Sequence, residues 1–342
     1  MPDLYNTVGK ITVREAWNTP VLKYLNQKYN FKFRYLGLPG EDLHDVKLWK
    51  DWIEEVIAFE LPGDLVPSDP EGRKKIEKLR RNMLIQQIPG RVYFGAMEDV
   101  ILLGQDYDGE KYSHKKLITL CNLDFCDEIS SPVQTSQKGK QVLRFQAISH
   151  IISEQYHIYK QDHEHNYFML LLTIRNQMKS DRLRQYLSSG LLAESNSFLE
   201  NCGGLTNIPA TQLCIGTATW ALKTFIYDFL KKDFYGNRIS SLFFPTVKYL
   251  GNPINKGSTN EISSPMLHCM ILCRFNDNEL GPVPASYPDD YLTRVSLIHA
   301  DESKQLVWQP DLGEPTREKI NEPPDSLMWL QKYEKYLLSG VN

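Results

Sequence analysis

Three stretches of the sequence place polar groups where ligand chemistry needs them. Gly37, Pro39 and Gly40 close the run FKFRYLGLPG. Glycine lets backbone approach a ligand closely, and a helix starting there adds N–H donors and partial positive charge. Glu60 closes VIAFE, 20 residues past Gly40. A carboxylate at a strand end can accept two hydrogen bonds from a ribose diol. Asn122 and Asp124 sit in KLITLCNLDFCD, with Asp127 close behind. Asp124 could act as a general base or orient an amine or hydroxyl, and Asn122 could hold a nucleophile in line. The plain alternatives are an ordinary turn, a solvent-facing acid and Asn/Asp caps of the next loop.

Other polar clusters favour simpler readings. His157, His163 and His165, with Asp162 and Glu164, could surround a metal. They fall in a helix-to-strand connection, where a solvated loop is expected, so no metal is assigned. Arg175 could grip an anion or face solvent. Lys74, Lys75, Lys78, Arg80 and Arg81 make a basic helix, expected to be a solvated outer face.

The elements that would position these residues follow from periodicity. Residues 12–30 read as an amphipathic helix that Pro20 either interrupts or splits in two. A strand running into a tight turn is expected at 31–40, with further strands at 56–60, at the start of RVYFGAMEDVILLG after Gly90, at 116–125 and at 167–174, and helices at 41–53, 71–87 and 143–160 between them. Continuous apolar runs such as YFMLLLTI are typical of strands buried on both faces of a parallel sheet. The segment 128–142 reads as a polar loop, and 180–200 and 210–232 as helices. Residues 238–251 and 264–275 read as a hairpin. Alternating strands and helices imply right-handed crossovers and a mostly parallel, Rossmann-like α/β sheet with helices on both faces and a C-terminal antiparallel hairpin strand. Ligands of such sheets lie beyond the carboxyl ends of the strands.

This order of elements and acids resembles the class I S-adenosylmethionine-dependent methyltransferases, over about residues 30 to 276. The resemblance implies a glycine turn at Gly37–Gly40 and an acid for the ribose at Glu60. It also implies that Glu98 and Asp99, after VYFGAM, contact the adenine, with Asn122 and Asp124 at the transfer site. By residue type alone, Glu98 and Asp99 would equally suit a helix N-terminus. The turn Tyr-Leu-Gly-Leu-Pro-Gly departs from the family's Asp-x-Gly-x-Gly. No Asn/Asp-Pro-Pro-Tyr follows the fourth strand, so methylation of base amino groups is not indicated.

Composition sets the frame. Among 342 residues, 42% are hydrophobic and 24% charged, and the formal net charge is −3. Nothing in the net charge points to nucleic acid. The six cysteines form no Cys-x-x-Cys pair, and no apolar run approaches the roughly 20 residues of a membrane span. A cytoplasmic, soluble protein is expected. The expected division is an N-terminal helical segment (1–30), a methyltransferase-type domain (31–276) and a proline-rich extension with a terminal helix (277–342). The expected function is methyl transfer from S-adenosylmethionine to an unspecified acceptor. Two rivals stand beside it: an inactive module of the same fold, docking a protein partner through the extension, and a magnesium-dependent nucleotide-using enzyme built on Asp124 and Asp127.

Overall fold

The computed structural model describes residues 7–60, 70–125, 129, 132–134, 141–162, 164–176, 226, 230, 233–234, 238–253, 263–275, 297–300, 306–309 and 325–338. The chain enters through helix α1 (Val8–Thr12), a π-helical stretch Val13–Asn18 and helix α2 (Thr19–Tyr29). Pro20 explains the change of pitch. Its ring nitrogen cannot donate to the carbonyl four residues back, so the preceding turn widens. The Thr19 N–H and hydroxyl both bond the Arg14 carbonyl instead. The result is one continuous rod with a wide turn.

Next come β1 (Phe33–Gly37), α3 (His44–Trp49), a 3-10 turn Lys50–Trp52, β2 (Ile53–Glu60), α4 (Pro70–Ile85), β3 (Gly90–Phe94), α5 (Met97–Leu103) and β4 (Leu120–Asp124). A short hairpin, β5 (Pro132–Gln134) with β6 (Gln141–Leu143), replaces part of the expected polar loop. Helix α6 (Arg144–Asp162) leads into β7 (Tyr167–Arg175). The helices expected at 180–200 and 210–232 fall almost wholly outside the described residues. The remaining strands are β8 (Ile239–Phe243), β9 (Val247–Pro253), β10 (Ser263–Phe275), β11 (Leu297–Ala300) and β12 (Leu306–Gln309), followed by α7 (Ser326–Leu337).

Ten strands make one sheet in the order β12-β11-β9-β10-β7-β4-β1-β2-β3, with β8 also on β10. β1, β2, β3, β4 and β7 run parallel. β10 inserts antiparallel between β7 and β9. β8 and β9 share one edge of β10, broken around Pro245. Phe243 faces Ile271 and Val247 faces His268, so one strand carries an extra residue there. A proline cannot donate to the ladder, and the break is a bulge around it. β11 and β12 widen the sheet beyond β9. LIHA and LVWQ lie in the tail whose sequence shows little periodicity.

Alternation along each strand sends side chains to two cores. Cys121, Leu123, Leu170 and Leu172 pack with α5 and α6. Tyr35, Leu120, Met169, Leu171 and Met270 pack with α2, α3, α4 and α7. Both faces are covered, as continuous apolar strands require.

Candidate functional site at the carboxyl rim

The strand order reverses at β1, which has β2 on one side and β4 on the other. Crevices at such points, beyond the carboxyl ends, are where ligands of open α/β sheets bind. Parallel pairing brings Gly37, Glu60 and Asp124 to this same rim.

Register and alternation build a polar row on one face. Leu120 packs with α2 and its neighbours, so Asn122 and Asp124 project to that side too. Asp124 lies opposite Thr173 of β7, and Thr173 opposite His268 of β10. Asn122 lies opposite Gly37. Four polar groups thus lie on adjacent strands of an otherwise apolar face.

The N-terminal rod closes over them. Lys10, Arg14 and Asn18 recur every four residues. Lys10 Nζ lies 2.5 Å from Asp124 Oδ2. Arg14 Nε pairs with Asp45 of α3. Asn122 Nδ2 donates to Asp45 Oδ2 at 2.6 Å and to the Tyr35 hydroxyl at 3.2 Å. Burial raises the Tyr35 pKa well above the usual phenol value, so its hydroxyl keeps its proton.

His268 lies 1% exposed, between Thr173 Oγ1 (2.8 Å from Nδ1) and Asn18 Oδ1 (3.0 Å from Nε2). Burial pushes its pKa down to about 4, against an upward pull from Asp124, so the ring is neutral at physiological pH. The Asn18 oxygen can only accept, which puts the ring proton on Nε2 and makes Thr173 the donor to Nδ1. Lys10, Arg14, Asn18, Asp45, Asn122, Asp124, Thr173 and His268, with Val13 and Tyr249, line a small cleft open to solvent.

The sequence-derived candidates divide. Gly37 is buried, and a Cβ there would lie 2.1 Å from the Asn122 carbonyl oxygen. Close strand packing therefore demands glycine at 37. Pro39 is buried in the turn that follows. Gly40 has φ +65 and no atom within 4 Å of a would-be Cβ, so it is a true turn glycine beside open space. Glu60 is half-buried, and its carboxylate makes no hydrogen bond with a described residue. Burial raises its pKa to about 7, against the pull of Lys75. Glu98 and Asp99 lie deeper. Glu98 Oε1 pairs with Arg144 Nε at 3.0 Å, and the Tyr107 hydroxyl bonds Asp99. Both carboxylates have partners within the protein. An adenosyl group would find a half-buried carboxylate at Glu60 and open backbone at Gly40, a donor and acceptor set that suits it.

The minor candidates do not converge. Glu164 pairs with Arg34, and His157 is exposed on α6. Among the described residues no three His, Cys, Asp or Glu side chains could hold a metal ion. His163 and Asp127 lie outside the described residues. Arg175 ends β7 half-buried. The basic helix is α4. Its Arg73 pairs with Asp108 and lies over Phe94, Lys78 pairs with Glu41 and Asp42, and Arg80 bonds the Val92 carbonyl. Among the described residues, no helix is long and apolar enough to cross a membrane.

Sequence reasoning passed over Lys10, Arg14, Asn18, Asp45, Thr173 and His268. The four-residue spacing of the first three, and single polar residues inside YFMLLLTI and SPMLHCMILC, were the available signals.

No protein-family model and no curated protein matches the chain. Among solved structures it is similar to the YcgJ protein of Bacillus subtilis, at 11% identity over 75% of this chain and 98% of that one, TM-score 0.35. It is similar to an rRNA methylase of Streptococcus thermophilus, at 10% identity over 75% and 95%, TM-score 0.29. A third is the magnesium protoporphyrin IX methyltransferase of Synechocystis with bound SAH, at 11% identity over 77% and 85%, TM-score 0.32. The sheet itself decides the fold. Five parallel strands reverse order at β1, and the antiparallel β10 lies between β7 and β9. This is a Rossmann-like α/β fold. The cleft lies at the carboxyl rim of that sheet, roofed by the N-terminal rod.

Proposed function

We propose that the protein is an S-adenosylmethionine-dependent methyltransferase. The observation that carries this reading is the shared rim, with the Gly37–Gly40 turn, the Glu60 carboxylate and the Asn122–Asp124 pair together at the reversal of strand order. In this reading Glu60 accepts the ribose hydroxyls and Gly40 leaves room for the cofactor, while Glu98 and Asp99 brace the wall beside the adenine. S-adenosylmethionine, when bound, supplies an electrophilic methyl group. The protein's part is alignment and proton management. Asn122, fixed by Asp45 and Tyr35, orients the acceptor, and Asp124 takes its proton.

Calorimetry tests this reading. S-adenosylmethionine should bind, and Glu60→Ala should weaken binding about tenfold, the loss of one charge-assisted hydrogen bond of about 1.4 kcal/mol. Binding should tighten as pH rises through about 7, because the ionised carboxylate is the better acceptor. No heat at about 1 mM cofactor, where even a weak complex forms, removes the proposal.

A second reading is a binding module of this fold without turnover. The Lys10–Asp124 ion pair favours it, since Lys10 occupies the carboxylate oxygen that would receive the acceptor's proton. Cofactor that binds yet is never consumed, followed by mass spectrometry with a panel of acceptors, would select it.

A further inference from the structure

We propose that the cleft under the N-terminal rod binds a primary alkylammonium group in the place that Lys10 Nζ holds. Lys10 is a tethered version of that ligand. Its ammonium approaches Asp124 Oδ2 to 2.5 Å, with 13% of the lysine side chain exposed. Two further acceptors wait in the same cleft. Asp124 Oδ1 is buried and has no hydrogen-bond partner among the described residues. The amide of Asn122, 5% exposed, must turn its nitrogen toward the Asp45 carboxylate, which leaves Oδ1 as its outward end. That oxygen accepts no hydrogen bond from a described residue. An ammonium has three donors and one compact charge, and this acceptor set matches it.

Charge balance points the same way. With Lys10 in place, Lys10 and Arg14 offset Asp45 and Asp124. Arg14 is committed to Asp45. When Lys10 withdraws, Asp124 is a partly buried carboxylate without its cation, and the cleft carries one negative charge. A partly buried charge left unpaired is costly, so a monocation is selected. Lys10 is well placed to withdraw. It is the third residue of α1, in the first turn of the rod, and helix ends open at the lowest cost in a fold. The cleft is small, which disfavours a broad planar guanidinium. Ammonium binding does not depend on methyl transfer, and the two are tested apart.

The test titrates n-butylammonium chloride into wild-type, Lys10→Ala and Lys10→Met protein by calorimetry and thermal shift, against sodium and tetramethylammonium chloride at equal ionic strength. Both Lys10 variants should bind the primary amine saturably. Wild-type protein should bind about tenfold more weakly, because the tethered lysine competes at high effective concentration. Tetramethylammonium, with no N–H donor, should not bind. Adding Asp124→Asn to Lys10→Ala should abolish binding. Absence of saturable binding in the Lys10 variants overturns the proposal, and so does equal binding of tetramethylammonium or binding that survives Asp124→Asn. Circular dichroism checks that the variants fold. Should both Lys10 variants fail to fold, the wild-type protein decides: its Tm must rise in n-butylammonium above its value in sodium chloride, and no rise overturns the proposal. S-adenosylmethionine titrated into the same preparations separates the two readings. Amine binding without cofactor binding keeps the cation site and removes the methyltransferase reading.

Discussion

At the scale of single residues, Gly37 and His268 carry the sharpest consequences. A methyl group on residue 37 would meet the Asn122 carbonyl oxygen at 2.1 Å, and neither strand can move without breaking the ladder. Gly37→Ala should therefore cost about 3 kcal/mol, as overpacking of a tight core does. A urea midpoint unchanged by the substitution would contradict this. His268 is neutral when folded, with its pKa near 4, and would titrate near 6.5 when unfolded. A depressed pKa gives stability that is complete above the unfolded value and lost as pH falls through the folded one. His268 should lose about 3 kcal/mol between roughly pH 6.5 and 4. His114, also near 4, adds a slope of the same sign. Glu60 and Glu154, both raised to about 7, act oppositely, since their burial favours the protonated acid. The readout is thus the difference between wild type and His268→Gln in urea titrations. It should narrow as pH falls to 4, and a constant difference would count against the buried neutral histidine. Gly37 and Asn122 were visible in the sequence because each ends an apolar run. His268 was not, because one histidine in a strand says nothing of its neighbours.

At the scale of elements, the N-terminal rod decides what the site is. Its π-helical stretch follows from Pro20, and the wide turn sets the direction of Arg14 and Asn18 relative to Lys10. Asn18 reaches His268 across 250 residues and Lys10 reaches Asp124 across 114. Asn18→Ala removes the acceptor for a buried imidazole N–H. Leaving such a donor unpaired should cost about 2 kcal/mol. It should also raise hydrogen exchange in α1 more than in β7. Uniform change across both elements would mean that the rod is not held by this contact. The sequence marks residues 12–30 as helical and Pro20 as an irregularity. It cannot say that the helix lies over the rim, because amphipathicity fixes which side is buried and not what it is buried against.

At the scale of the molecule, the N-terminal rod packs against α7. Leu330, Leu337 and Leu338 of the terminal segment share a core with Val21, Leu22 and Leu25 of α2. The Ser326 hydroxyl donates to the Trp17 carbonyl at 2.6 Å. Tyr24, Lys28 and Tyr29 all donate to Glu334. Removing residues 325–342 would take away three buried leucines, worth about 2 kcal/mol each, and expose Val21, Leu22 and Leu25 of α2, against a typical total of 5–15 kcal/mol. The truncated chain should be insoluble or unfolded. A soluble, cooperatively unfolding truncation would instead leave the terminal segment available for a partner.

The strands of the parallel sheet, their parallel character and the acids near their carboxyl ends could be read from the sequence, because burial on both faces writes a continuous apolar run and a turn ends it, whereas β5, β6, β11 and β12 could not. Pairing order could not. The insertion of β10 between β7 and β9, and the partners of Asp124 and His268, depend on contacts between segments far apart in the chain. Local preference carries no information about such contacts; they are set when the two faces of the sheet are packed at once.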